Sequence, residues 1–178
     1  MQSLQHMPLV NKHLINEGTL YSNHYCSVAI RCQFRVNLWT GRAAHNTNVG
    51  LSIEPIKLHR PMLPKVTNVW APFGGYAKIV EEGINDEYLP QGVQAAGYNT
   101  YYSGKLWNHH SVENYNAPYA GGFNESDSLL DPHTYQYRNA TVTRNDAPPV
   151  NYSGQYSPDL TAHKAFDFLH EALSHNEP

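Results

Sequence analysis

Two short segments of the sequence combine cations with residue types that can act as nucleophiles, acids or bases. Residues 31–42 read Arg-Cys-Gln-Phe-Arg-Val-Asn-Leu-Trp-Thr-Gly-Arg, so a thiol stands between the guanidinium groups of Arg31 and Arg35. Residues 97–105 read Gly-Tyr-Asn-Thr-Tyr-Tyr-Ser-Gly-Lys and end in the cation Lys105. Fixed cations stabilise negative charge that develops in a reaction, and a neighbouring Lys or His can protonate a departing group.

A helix and a strand are predicted to position these cations. Residues 31–39 predict a helix, because their apolar positions recur on one face. Residues 86–96 predict a second helix that ends at Gly97, and residues 98–102 predict the strand that leads to Lys105. A helix, a glycine and a strand in this order are typical of an α/β protein.

The remaining sequence predicts a hairpin, a last helix and one irregular segment. Residues 135–137 and 141–143 predict the two strands of the hairpin. Residues 50–66 contain three prolines and no helix or strand periodicity, which indicates either a surface loop or an insertion from a mis-read gene boundary. The last helix is predicted from Ser157, with a buried stripe formed by Ala162, Phe166, Leu169 and Leu173.

Composition narrows the class of protein. The 178 residues are 40% hydrophobic and 15% charged, which is typical of one globular domain. The formal net charge is -3 and the sequence pI is about 6.4, so a nucleic-acid partner is not indicated. The chain contains 13 Tyr and 3 Trp, and aromatic-rich loops often line sugar or aryl sites.

Membrane and secretion signals are weak in this sequence. No apolar run approaches the roughly 20 residues that cross a bilayer. The N-terminal stretch 1–6 has neither the basic start nor the apolar core of a signal peptide. Two cysteines, Cys26 and Cys32, allow at most one disulfide. Three N-glycosylation patterns are compatible with secretion without establishing it, and they begin at Asn124, Asn139 and Asn151.

The two cation-bearing segments resemble the two signatures of the sulfatase family. The end of residues 31–42 resembles that of the first signature, C-x-P-S-R-x-x-x-x-T-G-R, because an Arg is followed after four residues by Thr-Gly-Arg. Residues 97–105 are similar to the second signature, G-Y-x-T-x-x-x-G-K. The connecting sequence resembles that of a fungal-type arylsulfatase, particularly at residues 7–26, 41–49 and 73–76.

This resemblance implies an α/β fold of the alkaline-phosphatase-like kind, with three layers in which helices cover both faces of a mostly parallel sheet. It covers nearly the whole chain and implies that residues 1–178 are a partial, incomplete N-terminal domain with a loop insertion at 50–66. The implied activity is that of a sulfuric ester hydrolase acting on aryl or carbohydrate sulfate esters. The implied location is the secretory pathway or the extracellular space.

The resemblance also implies two cofactors. Family members convert the first Cys of the first signature to formylglycine, whose hydrated aldehyde supplies the nucleophilic oxygen. They also hold calcium with carboxylate and amide oxygens. The paired-Asp motif and the Asp-Asn or Asp-His pair that supply these ligands are expected before residue 1 and beyond residue 178. We therefore predict no metal ligands within this chain.

The resemblance assigns roles to individual residues. Arg35 matches the signature Arg and would orient the nucleophile. Lys105 matches the Lys of the second signature and would contact a sulfate oxygen. Asn108 or His109 would fill the polar position that follows this Lys, with Asn108 as a substrate-binding group and His109 as a catalytic group.

The first signature departs from the family pattern at the nucleophile. Counting back from Arg35, Arg31 occupies the nucleophile position, and Cys32 falls one place late. Gln33 replaces the proline and Phe34 replaces the small residue. A guanidinium is permanently protonated and is no nucleophile. We therefore predict that formylglycine does not form, that Cys32 stays a thiol buried on a helix, and that this chain is inactive.

Three functions remain open at this point. The first is the sulfuric ester hydrolase of the arylsulfatase type. The second is a non-catalytic remnant that binds sulfated glycans through Arg31, Arg35 and Lys105. The third is a related hydrolase of phosphonate or phosphate esters that uses a thiol or hydroxyl nucleophile.

Overall fold

A computed structural model of the chain describes residues 2–25, Val28, 31–49 and 75–174. The predicted insertion at 50–66 lies outside the described residues, and so does Cys26.

Five α-helices are described, and three of them surround one apolar core. The short α1 (Pro8–Val10) continues as a π turn over Asn11–Ile15 at the surface. The three helices that surround the apolar core are α2 (Arg31–Thr40), α3 (Tyr76–Glu81) and α4 (Leu89–Ala95). The core that they enclose comprises Cys32, Val36, Val49, Tyr76, Ile79, Ile84, Tyr88, Leu106, Trp107 and Ala120. The predicted first helix is confirmed, since α2 covers residues 31–39 and one more.

The strands form one four-stranded sheet with the order β1-β2-β3-β4. The strands are β1 (Tyr101–Gly104), β2 (Glu125–Leu129), β3 (Asn139–Arg144) and β4 (Val150–Ser153). β1 and β2 are parallel, whereas β2–β3 and β3–β4 are antiparallel. The described sheet is therefore mixed, although a mostly parallel sheet was expected. Short connections at 130–138 and 145–149 explain the difference, because a parallel crossover needs a dozen residues or more.

Helices cover both faces of the sheet at β1. The ring of Tyr101 packs against Phe168 of the last helix, α5 (Ser157–Ser174), with centroids 5.6 Å apart. The next ring, Tyr102, packs against Trp39 of α2 at 5.9 Å. Successive side chains of a strand point to opposite faces, so α5 and α2 lie on opposite sides. The predicted α/β arrangement with helices on both faces is confirmed.

The predicted hairpin between residues 135–137 and 141–143 is wrong. His133–Tyr135 is a 3-10 turn, and β3 pairs with β2 and β4 instead. The partner strand β2 escaped the sequence analysis because its sequence, Glu-Ser-Asp-Ser-Leu, has no apolar alternation. Its polar residues Ser126, Asp127 and Ser128 are nevertheless buried.

The last helix is confirmed, but the predicted buried stripe lies on the wrong face. Ala162, Phe166, Leu169 and Leu173 are all exposed. The face turned to the sheet instead carries Leu160, Lys164 and Phe168, at i, i+4 and i+8. The ammonium of Lys164 pairs with the buried carboxylate of Asp127 at 2.8 Å. The ion pair thus helps to determine which face of α5 lies against the sheet. A prediction from apolar residues alone assigned the wrong face.

Within the described residues, no helix is both long enough and apolar enough to cross a membrane.

Candidate functional site

The predicted site residues gather at the edge of the sheet where the parallel strands β1 and β2 end. Lys105 directly follows the last residue of β1, and Asp131 lies two residues after β2. The register pairs Gly104 with Ser128, so both strand ends reach the same edge. The carboxyl edge of parallel strands is the usual ligand position in open α/β sheets.

Lys105 is held firmly at this edge. The Tyr102 hydroxyl donates to the Lys105 carbonyl at 2.6 Å, and burial raises the pKa of Tyr102 to about 12, so this hydroxyl keeps its proton at neutral pH. The Lys105 side chain is only 10% exposed, and its Nζ donates to the Tyr135 hydroxyl at 2.7 Å. Its Nζ also lies 3.7 Å from Oδ1 of Asp131.

Arg31 and Arg35 reach the same place from the first turns of α2. Arg31 Nη1 donates to the Tyr135 hydroxyl at 3.2 Å. Arg35, one helical turn later, donates from Nη1 to the carbonyl of Arg31 at 3.2 Å and to Oδ1 of Asn108 at 3.3 Å. Within the described part of the chain, neither guanidinium is paired with a carboxylate. The site therefore has more positive than negative charge.

Tyr135 is the common partner of two of these cations. Its hydroxyl oxygen accepts from both Lys105 and Arg31, although these residues stand on different elements. Lys105 Nζ also lies 4.2 Å from the ring centroid, and the guanidinium carbon of Arg31 lies 5.3 Å from it. These distances are within the range of cation–π attraction. Sequence analysis missed Tyr135 as a site residue, because no local pattern connects it to partners 104 and 30 positions away along the chain.

Asp131 was also missed, and it orders the loop that follows Lys105. Its Oδ2 accepts from the backbone N–H of His109 at 2.9 Å, and its Oδ1 accepts from the Thr134 hydroxyl at 2.6 Å. His109 has a positive φ of 55°, an unusual conformation for a residue with a side chain. Asn108 is buried and contacts Arg35. The structure thus brings Asn108 and His109 to the site, and their predicted roles stay predictions.

Cys32 lies beside the cations but is turned into the core. It is 5% exposed and belongs to the apolar cluster under α2. Burial raises the pKa of its thiol, and the backbone groups of Asn108 and Gly75 and the charges of Arg35 and Lys105 only partly oppose this. A thiol with a raised pKa forms little of the nucleophilic thiolate at neutral pH. The expected buried position of Cys32 on a helix is confirmed.

The residues present do not fit a calcium ion. Among the described residues, no three His, Cys, Asp or Glu side chains come together as ligands. The nearby carboxylate, Asp131, already accepts hydrogen bonds from His109 and Thr134 and faces Lys105. Calcium requires six to eight oxygen ligands, and adjacent cations oppose its binding.

His110 lies directly behind the site and is kept neutral by burial. Its side chain is 1% exposed and its ring lies 4.3 Å from the Tyr76 ring. Its Nε2 lies 3.4 Å from the Tyr115 carbonyl, whereas Nδ1 has no hydrogen-bond partner among the described residues. Burial lowers the pKa of His110 to about 4, against the smaller opposing effects of the Tyr115 carbonyl and Asp131.

The depressed pKa of His110 predicts a loss of stability in mild acid. Above the unfolded pKa of about 6.5 both states hold a neutral ring, so His110 makes no pH-dependent contribution there. As pH falls from about 6.5 to about 4, only the unfolded state gains the proton, which costs the folded state about 3 kcal/mol. Urea unfolding across this range should show this loss in the natural chain and not in His110→Phe. A difference in the free energy of unfolding between the two chains that does not change with pH would contradict the prediction.

Comparison with known proteins gives the family context of this site. The family model described as Sulfatase matches residues 2–178. The chain is 36% identical over 175 residues to an arylsulfatase of Volvox carteri, covering 98% of this chain and 24% of that protein. It is 34% identical over 174 residues to an arylsulfatase of Chlamydomonas reinhardtii, covering 97% of this chain and 24% of that protein. The chain thus spans about a quarter of the length of these curated relatives. No solved structure gives a significant match.

Proposed function

This chain belongs to the sulfatase family, and on that premise we propose that the cations around Tyr135 form the sulfate-ester site of an arylsulfatase-type sulfuric ester hydrolase. In this chain Arg31 stands at the nucleophile position, so there is no cysteine there to be converted to formylglycine. The site therefore binds aryl or carbohydrate sulfate esters and does not cleave them.

One observation carries this proposal: Arg31 and Lys105 donate to the same phenol oxygen from two different elements. Two like charges repel each other, and one carboxylate, Asp131 at 3.7 Å from Lys105, offsets only part of the positive charge in the described part of the site. An anionic ligand with several oxygens would relieve this repulsion and accept charge-assisted hydrogen bonds from both side chains. Arg35, one turn behind Arg31, adds a third positive charge to the same region.

The proposed roles of the residues follow from their positions. Arg31 and Lys105 contact the sulfate oxygens directly. Arg35 adds charge and is aimed by Asn108, with which it shares a hydrogen bond. Asp131 orients Lys105 and the backbone of His109, which supports the proposed position of His109 beside the bound ester.

Cleavage is blocked because the site lacks a competent nucleophile where the family places one. A guanidinium is no nucleophile, so Arg31 cannot attack sulfur in place of the family's nucleophile. The neighbouring thiol of Cys32 is buried and its pKa is raised. The same two facts disfavour the alternative hydrolase that would use a thiol against phosphonate or phosphate esters.

Further parts of the proposal rest on family membership alone. We propose an extracellular or secretory location, calcium as the cofactor of the family, and a partial N-terminal domain with a loop insertion at 50–66. The relatives are about four times as long as the matched region, which supports the assignment to part of a larger domain. The binding proposal uses no step that depends on calcium.

A chromogenic aryl sulfate, 4-nitrophenyl sulfate, tests binding and cleavage together. We expect the purified chain to bind this ester and to release no nitrophenol, with or without calcium. Lys105→Ala should weaken binding by roughly 10- to 100-fold, because a hydrogen bond to a charged group contributes about 1.5–3 kcal/mol. The measurement is isothermal titration calorimetry, with absorbance as the readout of cleavage.

The matched control is Lys12→Ala, because Lys12 is an exposed lysine of the N-terminal helical segment, outside the site. It should leave the affinity unchanged. Release of nitrophenol by the natural chain would contradict the blocked route. An equal loss of affinity in both lysine variants would contradict the assignment of the site.

A further inference from the structure

We propose that Tyr137, Arg138 and Tyr156 form a second subsite, which binds a neighbouring sugar ring of a sulfated oligosaccharide. This inference rests on the proposed function, because it places the sulfated ring of the same ligand at Arg31 and Lys105. It makes a carbohydrate sulfate, rather than a small aryl sulfate, the preferred ligand.

The subsite is an exposed group of aromatic and cationic side chains. Tyr137 is 69% exposed and Tyr156 is 42% exposed. Their rings are stacked with centroids 5.9 Å apart and planes inclined by 30°. The guanidinium carbon of Arg138 lies 5.8 Å from the Tyr156 ring centroid. Large apolar rings this exposed, with a cation beside them, are more typical of a binding surface than of a packed core.

The backbone holds this group in place without a ligand. The Ser157 N–H donates to the Tyr137 carbonyl at 2.7 Å, and the Gly154 N–H donates to the Arg138 carbonyl at 2.8 Å. These bonds extend the β3–β4 pairing, in which Asn139 lies opposite Ser153. A subsite that is ordered in advance loses less conformational entropy when a ligand binds.

The subsite is continuous with the anion site. Tyr135 contacts Arg31 and Lys105, and it is itself 48% exposed. Gln136 is extended, with φ -105° and ψ 116°, so Tyr137 follows at a Cα distance of at most about 7 Å from Tyr135. Cations and aromatic rings therefore alternate in the contact pairs Lys105–Tyr135 and Arg138–Tyr156, and Tyr135 and Arg138 are only three residues apart along the chain.

This alternation fits a sulfated sugar chain. The rings of Tyr137 and Tyr156 offer flat apolar faces with a hydroxyl at the tip, which suits a sugar ring with an apolar face and a hydroxylated rim. Arg138 can pair with a second sulfate. Single-stranded nucleic acid also uses cations and aromatic rings, so an oligonucleotide serves as the competing probe.

Two probes of different length test the subsite by calorimetry. One is a monosaccharide that carries a single sulfate, and the other is a sulfated tetrasaccharide built from the same unit. We expect the natural chain to bind the tetrasaccharide about tenfold more tightly. Tyr156→Ala should remove most of this difference and leave the affinity for the monosaccharide unchanged, whereas Tyr156→Phe keeps the ring and should keep the difference.

The control variant is Tyr98→Ala, which removes another exposed tyrosine, 53% exposed, in the turn between α4 and β1. It should bind both probes like the natural chain. Equal affinity for the two probes, or an equal loss in Tyr156→Ala and Tyr98→Ala, would overturn the subsite while leaving the proposed function intact. No binding of either probe would overturn the subsite, and failure of 4-nitrophenyl sulfate to bind as well would overturn the proposed function itself. Tighter binding of a single-stranded oligonucleotide than of the tetrasaccharide would overturn the choice of ligand.

Discussion

The triple variant Arg31→Cys/Gln33→Pro/Phe34→Ser should acquire a formylglycine aldehyde when it is made in cells that contain the maturation enzyme. The natural chain should keep the Cys32 thiol. The three changes restore the C-x-P-S-R pattern in the register set by Arg35. These positions lie in the first turn of α2, where backbone N–H groups have no partner within the helix and a proline is tolerated. Mass analysis of the peptide that spans residue 31 measures the aldehyde.

The single variant Arg31→Cys is the control for this experiment. It places a sulfur at the nucleophile position but keeps Gln33 and Phe34, so we expect it to remain a thiol. An aldehyde at Cys32 of the natural chain would show that the maturation enzyme accepts the shifted register. Our explanation of the blocked route would then be wrong. The readout is chemical conversion, so it does not depend on sulfatase activity.

Asp127→Asn should destabilise the fold by about 3–5 kcal/mol, because within the described residues it leaves the largely buried ammonium of Lys164 without a carboxylate partner. Asp127 is 2% exposed, and its oxygens pair with Lys164 Nζ at 2.8 Å and with Arg144 Nη1 at 2.9 Å. These two ion pairs join β2 to β3 and to α5, so their loss should loosen α5 from the sheet. The free energy of unfolding in urea measures the effect.

Two further variants decide whether the buried charge is the cause of the stability loss in Asp127→Asn. Glu171→Gln removes an outer partner of Arg144 at 3.5 Å, and it should cost less than about 1 kcal/mol, because that pair is partly exposed. Adding Lys164→Met to Asp127→Asn should recover part of the stability, since it removes the cation that the first change leaves unpaired, whereas Arg144 keeps Glu125 at 2.8 Å. Equal losses in Asp127→Asn and Glu171→Gln would contradict this account of how α5 is attached.

Sequence reasoning succeeded where the signal is local. The helix at α2 follows from apolar residues at helical spacing, and a strand leading to Lys105 was predicted at 98–102, although β1 begins only at Tyr101 and ends at Gly104. It failed where polar residues build the core. β2 has buried serines and a buried aspartate, and α5 docks through Lys164, so in both cases hydrophobic periodicity gave no signal or the wrong one.

The residues of the candidate site also fall into those that the sequence predicted and those that it missed. The cations Arg31, Arg35 and Lys105 could be singled out because two signature-like segments carry them. Tyr135 and Asp131 could not, because their part in the site depends on contacts with residues far away along the chain. The neutral, buried state of His110 was also missed, since a pair of histidines in a polar loop gives no sign of burial.

The amino-acid sequence by itself determined the family resemblance, the absence of a cysteine at the nucleophile position and the identity of the three cations. Those properties depend on residue type and on short spacings along one chain. Only the tertiary structure decided that Arg31 and Lys105 meet at Tyr135 and that Cys32 faces the core. The physical reason is that the convergence arises where two parallel strands end beside the start of α2, and no local pattern encodes which distant side chains meet there.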